Sequence, residues 1–379
     1  MKGTKRAGER EPADSPSLNV PAIASKLSRW YRRAHRPLPW RERTDPYAVW
    51  ISEIMLQQTQ VATVIPYFER FLARFPDTDS LAHAREDEVL KVWEGLGYYQ
   101  RARHLIPAAK RIGELGGWPE SAAELTKLPG IGRSTAGAIA SIAFGRPAPI
   151  LDGNVKRVWS RLTAYEAVPV GKALSPLWRL SEHAAEADDP AETNQALMEL
   201  GATLCLPWAP KCEACPVSDH CAGFRSGQPQ RFPLRAPKKR RPLIDVSVAL
   251  LWREGRFLVA KRPSEGLLGG LWELPGGKWE RGEDAEAALR RELREELGLE
   301  VEISEIHSPV RHGYTHFEVM LHPFSCRATA GQKPRSELPL RWIRPLEIGT
   351  LAFPKGTLKI FAAVFRTEHL AASPLHPSR

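Results

Sequence analysis

The stretch "LTKLPGIGRSTAGAIASIAF", Leu125–Phe144, reads as a helix, a Pro-Gly-Ile-Gly turn and a second helix. Gly130 and Gly132 are expected to take backbone conformations that a side chain would block. The amides that open the second helix then face outward, and such a terminus holds a phosphate without reading sequence. Ser134 is the second residue of that helix. Pro-Gly turns join helices in many folds, so the hairpin needs company. It comes in "ILDGNVKRVWSRL", Ile150–Leu162, where Asp152 opens another helix and Asn154 follows two places on. Asp is a favoured N-cap in any helix, which is the plain reading of Asp152 taken alone.

Upstream, "VWISEIMLQQTQV", Val49–Val61, sets Glu53 among Ile51, Ile54, Met55 and Leu56. A carboxyl buried in such surroundings resists ionisation, which suits a proton donor at neutral pH. The plain alternative is a glutamate on a solvated face. Before it lies "KLSRWYRRAHRPLPWRER", residues 26–43, with seven Lys or Arg against one acid and aromatics interleaved. It reads as a phosphate-facing patch or, nearly as well, as a solvated helix face. The whole chain of 379 residues carries a net charge of +10, a balance that favours polyanions and above all nucleic acid. No leader-like segment or membrane-length apolar run is evident, so a cytoplasmic, DNA-associated protein is expected.

Four of the five cysteines fall within 17 residues, as Cys205-x6-Cys212-x2-Cys215-x5-Cys221. Four thiolates on one loop suit a tetrahedral zinc or a [4Fe–4S] cluster, and spacing alone leaves both open. Cys326 stands apart and reads as a buried core thiol.

Residues 1–20 read as a disordered tail, 21–225 as an all-α domain, and 226–242 as an extended linker with six Lys or Arg, no acid and four prolines. From 243 to 370 the period changes to short apolar strands around one helix, an α+β domain, before a tail at 371–379. That helix lies in "GGKWERGEDAEAALRRELREELGL", Gly276–Leu299, which fits the Nudix box without a gap. Glu292, Glu295 and Glu296 share one helix side, and such a cluster invites a divalent cation, Mg²⁺ being the natural candidate.

Hairpin, aspartate and cysteine loop, in this order over roughly residues 22–225, resemble the helix–hairpin–helix glycosylase superfamily, which includes endonuclease III. The string "SEIMLQQTQV" and the C-terminal "PSEGLLGGLWELPGGK" resemble the MutY family within it. The resemblance implies a multidomain protein: a glycosylase domain with a [4Fe–4S] loop at 205–221, followed by a Nudix-like domain that reads 8-oxoguanine. It implies a monomeric, monofunctional enzyme excising adenine opposite 8-oxoguanine or guanine in double-stranded DNA. Glu53 would protonate adenine N7, Asp152 would stabilise the charged sugar, and Asn154 would orient Asp152 or the sugar. Gln57 and Gln58 follow the Glu53 helix towards DNA, and Gln58 with Tyr98 would probe or wedge the duplex. Gly130, Gly132 and Ser134 would face phosphate, as would Lys211 beside the cluster. Trp40, Arg41 and Gln195 would wall the adenine pocket. The family's Phe-Ser-His motif would become Tyr314-Thr315-His316, with Thr315 bonding the damaged base.

Two departures matter. Bifunctional relatives carry lysine where Ser134 stands, and serine cannot form the imine of a strand-cleaving lyase. The box is also intact, where the family's is often degraded. The alternatives are an endonuclease III-like lyase, a damage sensor without chemistry, or an added hydrolysis of 8-oxo-dGTP.

Overall fold

The structure is a computed structural model that describes residues 18–187, 189–237 and 240–365. Most of the N-terminal tail, all of the tail from 371, and Lys238 and Lys239 of the basic linker lie outside the described residues. The chain divides into two compact units, one of residues 1–57 with 114–237, the other of 58–113 with 238–379.

The first unit is helical. Its core forms where helices Val20–Ala34, Gly153–Leu162, Ser175–Ala185 and Pro190–Thr203 bring together Ile23, Leu27, Trp159, Leu177, Leu197 and Leu200, all fully or almost fully buried. Helix Pro46–Leu56 packs on helix Arg133–Phe144. Gly137 permits a further close approach, because a Cβ there would stand 2.0 Å from the Pro149 carbonyl oxygen. The strand of chain leading to Asp152 therefore lies against the hairpin helix.

The second unit joins a helical segment to a mixed sheet. Helices Val61–Arg74 and Glu86–Trp93 meet through Phe71 and Trp93, whose rings cross edge-on at 6.1 Å. The strands are β1 (Leu243–Arg253), β2 (Arg256–Lys261), β3 (Trp272–Glu273), β4 (Gly276–Lys278), β5 (Val301–Ile306), β6 (Val310–Gly313), β7 (Glu318–Ala328) and β8 (Leu340–Ile343). The main path runs β3-β2-β1-β7-β5, with β1 and β7 parallel and nine residue pairs in register from Leu243↔Glu318 to Leu251↔Cys326. A central strand covered on both faces must be apolar on both. Accordingly Ala249 and Leu251 pack beneath helix Ala285–Leu297, with Cys326 buried there as expected, while Val248 and Leu250 pack with Ile360 and Phe361 of helix Lys355–Val364.

Candidate active site

Glu53 is the only charged residue of helix Pro46–Leu56, which Asp45 caps by accepting the Ala48 N–H at 2.8 Å. Around it Trp50, Ile51, Ile54 and Met55 are buried. Burial, and after it the neighbouring Asp152 carboxylate, push the Glu53 carboxyl up to about 7. The two acids, 99 positions apart in sequence, are thus brought within electrostatic reach of each other in one unit.

Asp152 does cap its helix: Oδ1 accepts the Val155 N–H at 2.7 Å. Oδ2 accepts from Asn154 Nδ2 at 3.1 Å. Burial raises its pKa, while these bonds and the Arg157 charge pull the other way. Arg157 in turn donates to Asn154 Oδ1 at 2.8 Å, to the Gly201 carbonyl at 2.6 Å and to the Cys205 carbonyl at 2.8 Å. A chain of polar contacts therefore runs from the carboxylate to the start of the cysteine loop. It needs Gly201 bare, since a Cβ there would meet Asn154 Cβ at 2.5 Å.

A cavity of about 290 Å³ opens beside Tyr31, Arg41 and Gln195. Gln195 accepts the Tyr31 hydroxyl at 3.0 Å, and Trp40 is buried. The organising residue here is one the sequence reading missed. Glu199 has no exposed surface and accepts three bonds from Arg36, two from its guanidinium at 2.7 and 2.8 Å and one from its backbone N–H at 3.0 Å, and one from Arg41 at 2.5 Å. Burial works against its charge, yet Arg36 and then Arg41 hold its carboxyl down to about 2. Its signal was an acid amid Leu197, Leu200 and Gly201 on an apolar helix face. In the basic run at 26–43, Lys26 pairs with Asp219, Arg32 with Glu192, Arg36 and Arg41 with Glu199, and Arg43 with Asp45, while Arg29 and Arg33 are exposed.

At the hairpin, Gly130 is left-handed with φ of +74°. Gly132 is not: its φ is −86°, and a Cβ there would touch nothing within 4 Å. The expectation of a backbone need at Gly132 is thereby corrected. Ser134 accepts the Leu151 N–H at 3.1 Å and so ties the hairpin helix to the residue before Asp152. Gln57 is engaged with Thr135 at 3.2 Å, whereas Gln58 is exposed with φ of +58°.

In the second unit Tyr98 is 40% exposed, also left-handed, and its hydroxyl lies 3.0 Å from Thr315 Oγ1. Thr315 and His316 are exposed. Tyr314 is instead packed inward, its ring against His312 and Phe317 and its hydroxyl pKa pushed up to about 12 by burial. Tyr99, beside Tyr98, is a core residue whose hydroxyl accepts the Gly95 N–H.

None of the four loop cysteines is in a disulfide. Burial pushes Cys215 up to about 12, opposed by the Val217 N–H and reinforced by the nearness of Cys205, Cys221 and Cys212. The buried Arg161 donates to Cys205 Sγ at 3.2 Å. Four thiols on one loop, which repel one another when ionised, fit a polynuclear cation by their donor chemistry. In the Nudix helix Arg291 binds Glu283, Glu292 and Glu295, and burial followed by Glu292 pushes Glu296 up to about 7. Among the described residues no three His, Cys, Asp or Glu side chains are already set as a metal cage, and no helix is long and apolar enough to cross a membrane.

Residues 51–181 match the HhH-GPD superfamily of base excision DNA repair proteins, and residues 247–363 match the NUDIX domain. The human adenine DNA glycosylase is 36% identical over 403 residues, 90% of this chain and 74% of that protein. That of Buchnera aphidicola (subsp. Baizongia pistaciae) is 39% identical over 254 residues, 65% and 71% of the two chains. The solved structure of a thermostable thymine-DNA glycosylase aligns at a TM-score of 0.50 and 28% identity, over 55% of this chain and 97% of that one. Fold and site together define a DNA N-glycosylase of base excision repair. Within that class the chain belongs to the adenine DNA glycosylase family.

Proposed function

We propose that this enzyme excises adenine from double-stranded DNA where it stands opposite 8-oxoguanine or guanine, leaving an abasic site. The observation that carries the proposal is Glu53 on a buried helix face within electrostatic reach of Asp152, where burial and that neighbour raise its carboxyl towards neutrality. Adenine leaves deoxyribose poorly as an anion. Glu53 donates its proton to N7, and positive charge grows on the sugar as the glycosidic bond lengthens. Asp152 stabilises that charge by Coulomb attraction, strongly so where bulk water is excluded, until one water adds at C1′ to give the abasic site and its released proton restores Glu53. Asn154, held by Arg157, keeps the Asp152 oxygens in place. A base inside a duplex is out of reach, so the nucleotide is extruded, with Gln58 at the vacated stack and Tyr98 beside the opposite base. The cavity beside Arg41 and Gln195, with Trp40 buried near it, receives the base edge.

Ser134 has its hydroxyl engaged with the Leu151 N–H and has no amine for a Schiff base, which supports a monofunctional enzyme. Cys205, Cys212, Cys215 and Cys221 would hold a [4Fe–4S] cluster, whose contribution is to order the loop that Arg157 and Arg161 grip and to present Lys211 to phosphate. Thr315 and His316, exposed at one turn, read the base opposite the adenine.

The test is single-turnover adenine release from 8-oxoguanine:A and G:A duplexes. Wild type should prefer the first. Glu53→Gln and Asp152→Asn should each lose about 10²–10⁴-fold in rate, in line with losing a general acid or an electrostatic stabiliser. A rate within tenfold of wild type for either variant removes that residue from the mechanism.

A further inference from the structure

We infer that Glu94 is a positioning residue, locking the turn that carries Tyr98 onto the chain that supports Thr315, so that both groups address the opposite base as one piece. The inference rests on the proposed reading of Thr315 as the 8-oxoguanine contact.

The turn that follows helix Glu86–Trp93 is conformationally demanding. Gly95, Gly97 and Tyr98 have φ of +94°, +77° and +50°, and for a tyrosine that region is costly. Such a turn keeps its shape only when its ends are held. At its start Glu94 is 8% exposed, and its carboxylate is divided between two partners. Oε1 accepts the N–H of the fully buried Phe353 at 2.8 Å, across 259 positions of sequence. Oε2 accepts from Lys91 Nζ at 2.6 Å, and that ammonium also donates to the Leu351 carbonyl at 2.9 Å. The Glu94 carbonyl takes the Tyr67 hydroxyl at 2.8 Å, and Trp93 Nε1 donates to the Gly97 carbonyl at 3.0 Å.

The segment gripped in this way leads directly into helix Lys355–Val364. That helix packs on β6, where Lys359 Nζ donates to the Arg311 carbonyl at 3.2 Å, and β6 leads directly into Tyr314. Tyr314 begins the turn that exposes Thr315, and its N–H bonds the Phe317 carbonyl at 2.8 Å. Thr315 then meets Tyr98 at 3.0 Å. The contacts close a ring: Glu94 to Phe353, through helix Lys355–Val364 and β6 to Tyr314 and Thr315, and back through Tyr98 to Glu94. Charge-assisted bonds are directional, so a buried carboxylate fixes the angle of the turn where an apolar contact would only fix its distance. A carboxylate with so little surface is costly to bury, and here its partners are the backbone of the other segment and the lysine that holds it.

The experiment compares single-turnover adenine release on 8-oxoguanine:A and G:A duplexes for the full chain. Variants are Glu94→Ala, Glu94→Gln, Lys91→Met, Thr315→Ala and the Glu94→Ala/Thr315→Ala pair. Glu94→Ala and Lys91→Met should each lower the ratio of the two rates by about tenfold, the rate on G:A staying within about twofold. Glu94→Gln keeps an acceptor for Phe353 and should retain most of the ratio. The pair should be no worse than Thr315→Ala alone, since both changes break one ring. An unaltered ratio in Glu94→Ala and Lys91→Met, while Thr315→Ala lowers it, overturns the inference, as does an equal loss on both duplexes. Should Glu94→Ala fail to fold, Lys91→Met decides the matter by the same ratio. A wild type without preference, or an unaffected Thr315→Ala, sinks instead the reading of Thr315, and the role of Glu94 with it.

Discussion

Glu53 is useful only while it carries its proton. Its ordinary carboxyl value is 4.5, and burial with the Asp152 charge raises it to about 7. The protonated form is the active one, so the rate of adenine release is highest below that value and falls as pH rises through it. The decline should approach about tenfold per pH unit on the alkaline side. Single-turnover rates from pH 5 to 9 check this, and a profile flat across pH 7 would detach Glu53 from proton transfer. Linkage has the same sign for stability: a carboxyl raised in the folded state loses its contribution as pH rises from 4.5 towards 7. This residue was legible because four large apolar neighbours surround it in sequence. Asp152 was legible only in company, since its capping bond to Val155 is what any helix-opening aspartate makes. Glu199 was not legible, because its partners Arg36 and Arg41 lie some 160 positions away.

Among the elements, the hairpin declared itself through Pro129 and Gly130, whose backbone needs are local. Gly132 misled, because its φ of −86° suits any residue. In the basic run the charge is visible in sequence, but the distant acids that pair with Lys26, Arg32, Arg36 and Arg41 are not. The glycine that matters most to the hairpin helix is Gly137, which sits within an ordinary helical run. Gly137→Ala would drive a Cβ against the Pro149 carbonyl oxygen, a backbone atom that cannot swing aside. Helix propensity favours alanine there by about 1 kcal/mol, but overpacking costs about 1–3 kcal/mol, so the net effect is expected to be destabilising. The denaturant midpoint should fall. Adenine release should slow as well, because Pro149 and Ile150 lead directly to Asp152. A midpoint at or above wild type would show that the loop yields freely, and that its close seat on the helix does not position the acid.

At the scale of the whole molecule, domain order and the change from helical to strand period were legible, since each rests on local pattern. The grouping of residues 58–113 with the C-terminal sheet was not, because it depends on pairings such as Glu94 with Phe353 and Lys261 with Asp87. The same distinction governs the net charge of +10. A cation already paired with an acid has less to offer a phosphate, whereas Arg240 and Arg241 of the linker are exposed. Binding to a duplex should therefore weaken steeply with salt, with a slope of about −0.9 for each phosphate neutralised. Arg32→Gln, which removes a partner of Glu192, should leave that slope unchanged. Arg240→Gln combined with Arg241→Gln should make it shallower by about 2, roughly one for each phosphate left without its arginine. Titrations from low to moderate salt measure all three slopes. If the paired arginine changes the slope as much as the linker pair does, DNA competes successfully for the internal ion pairs, and the charge that binds it is spread over the protein rather than concentrated in the linker.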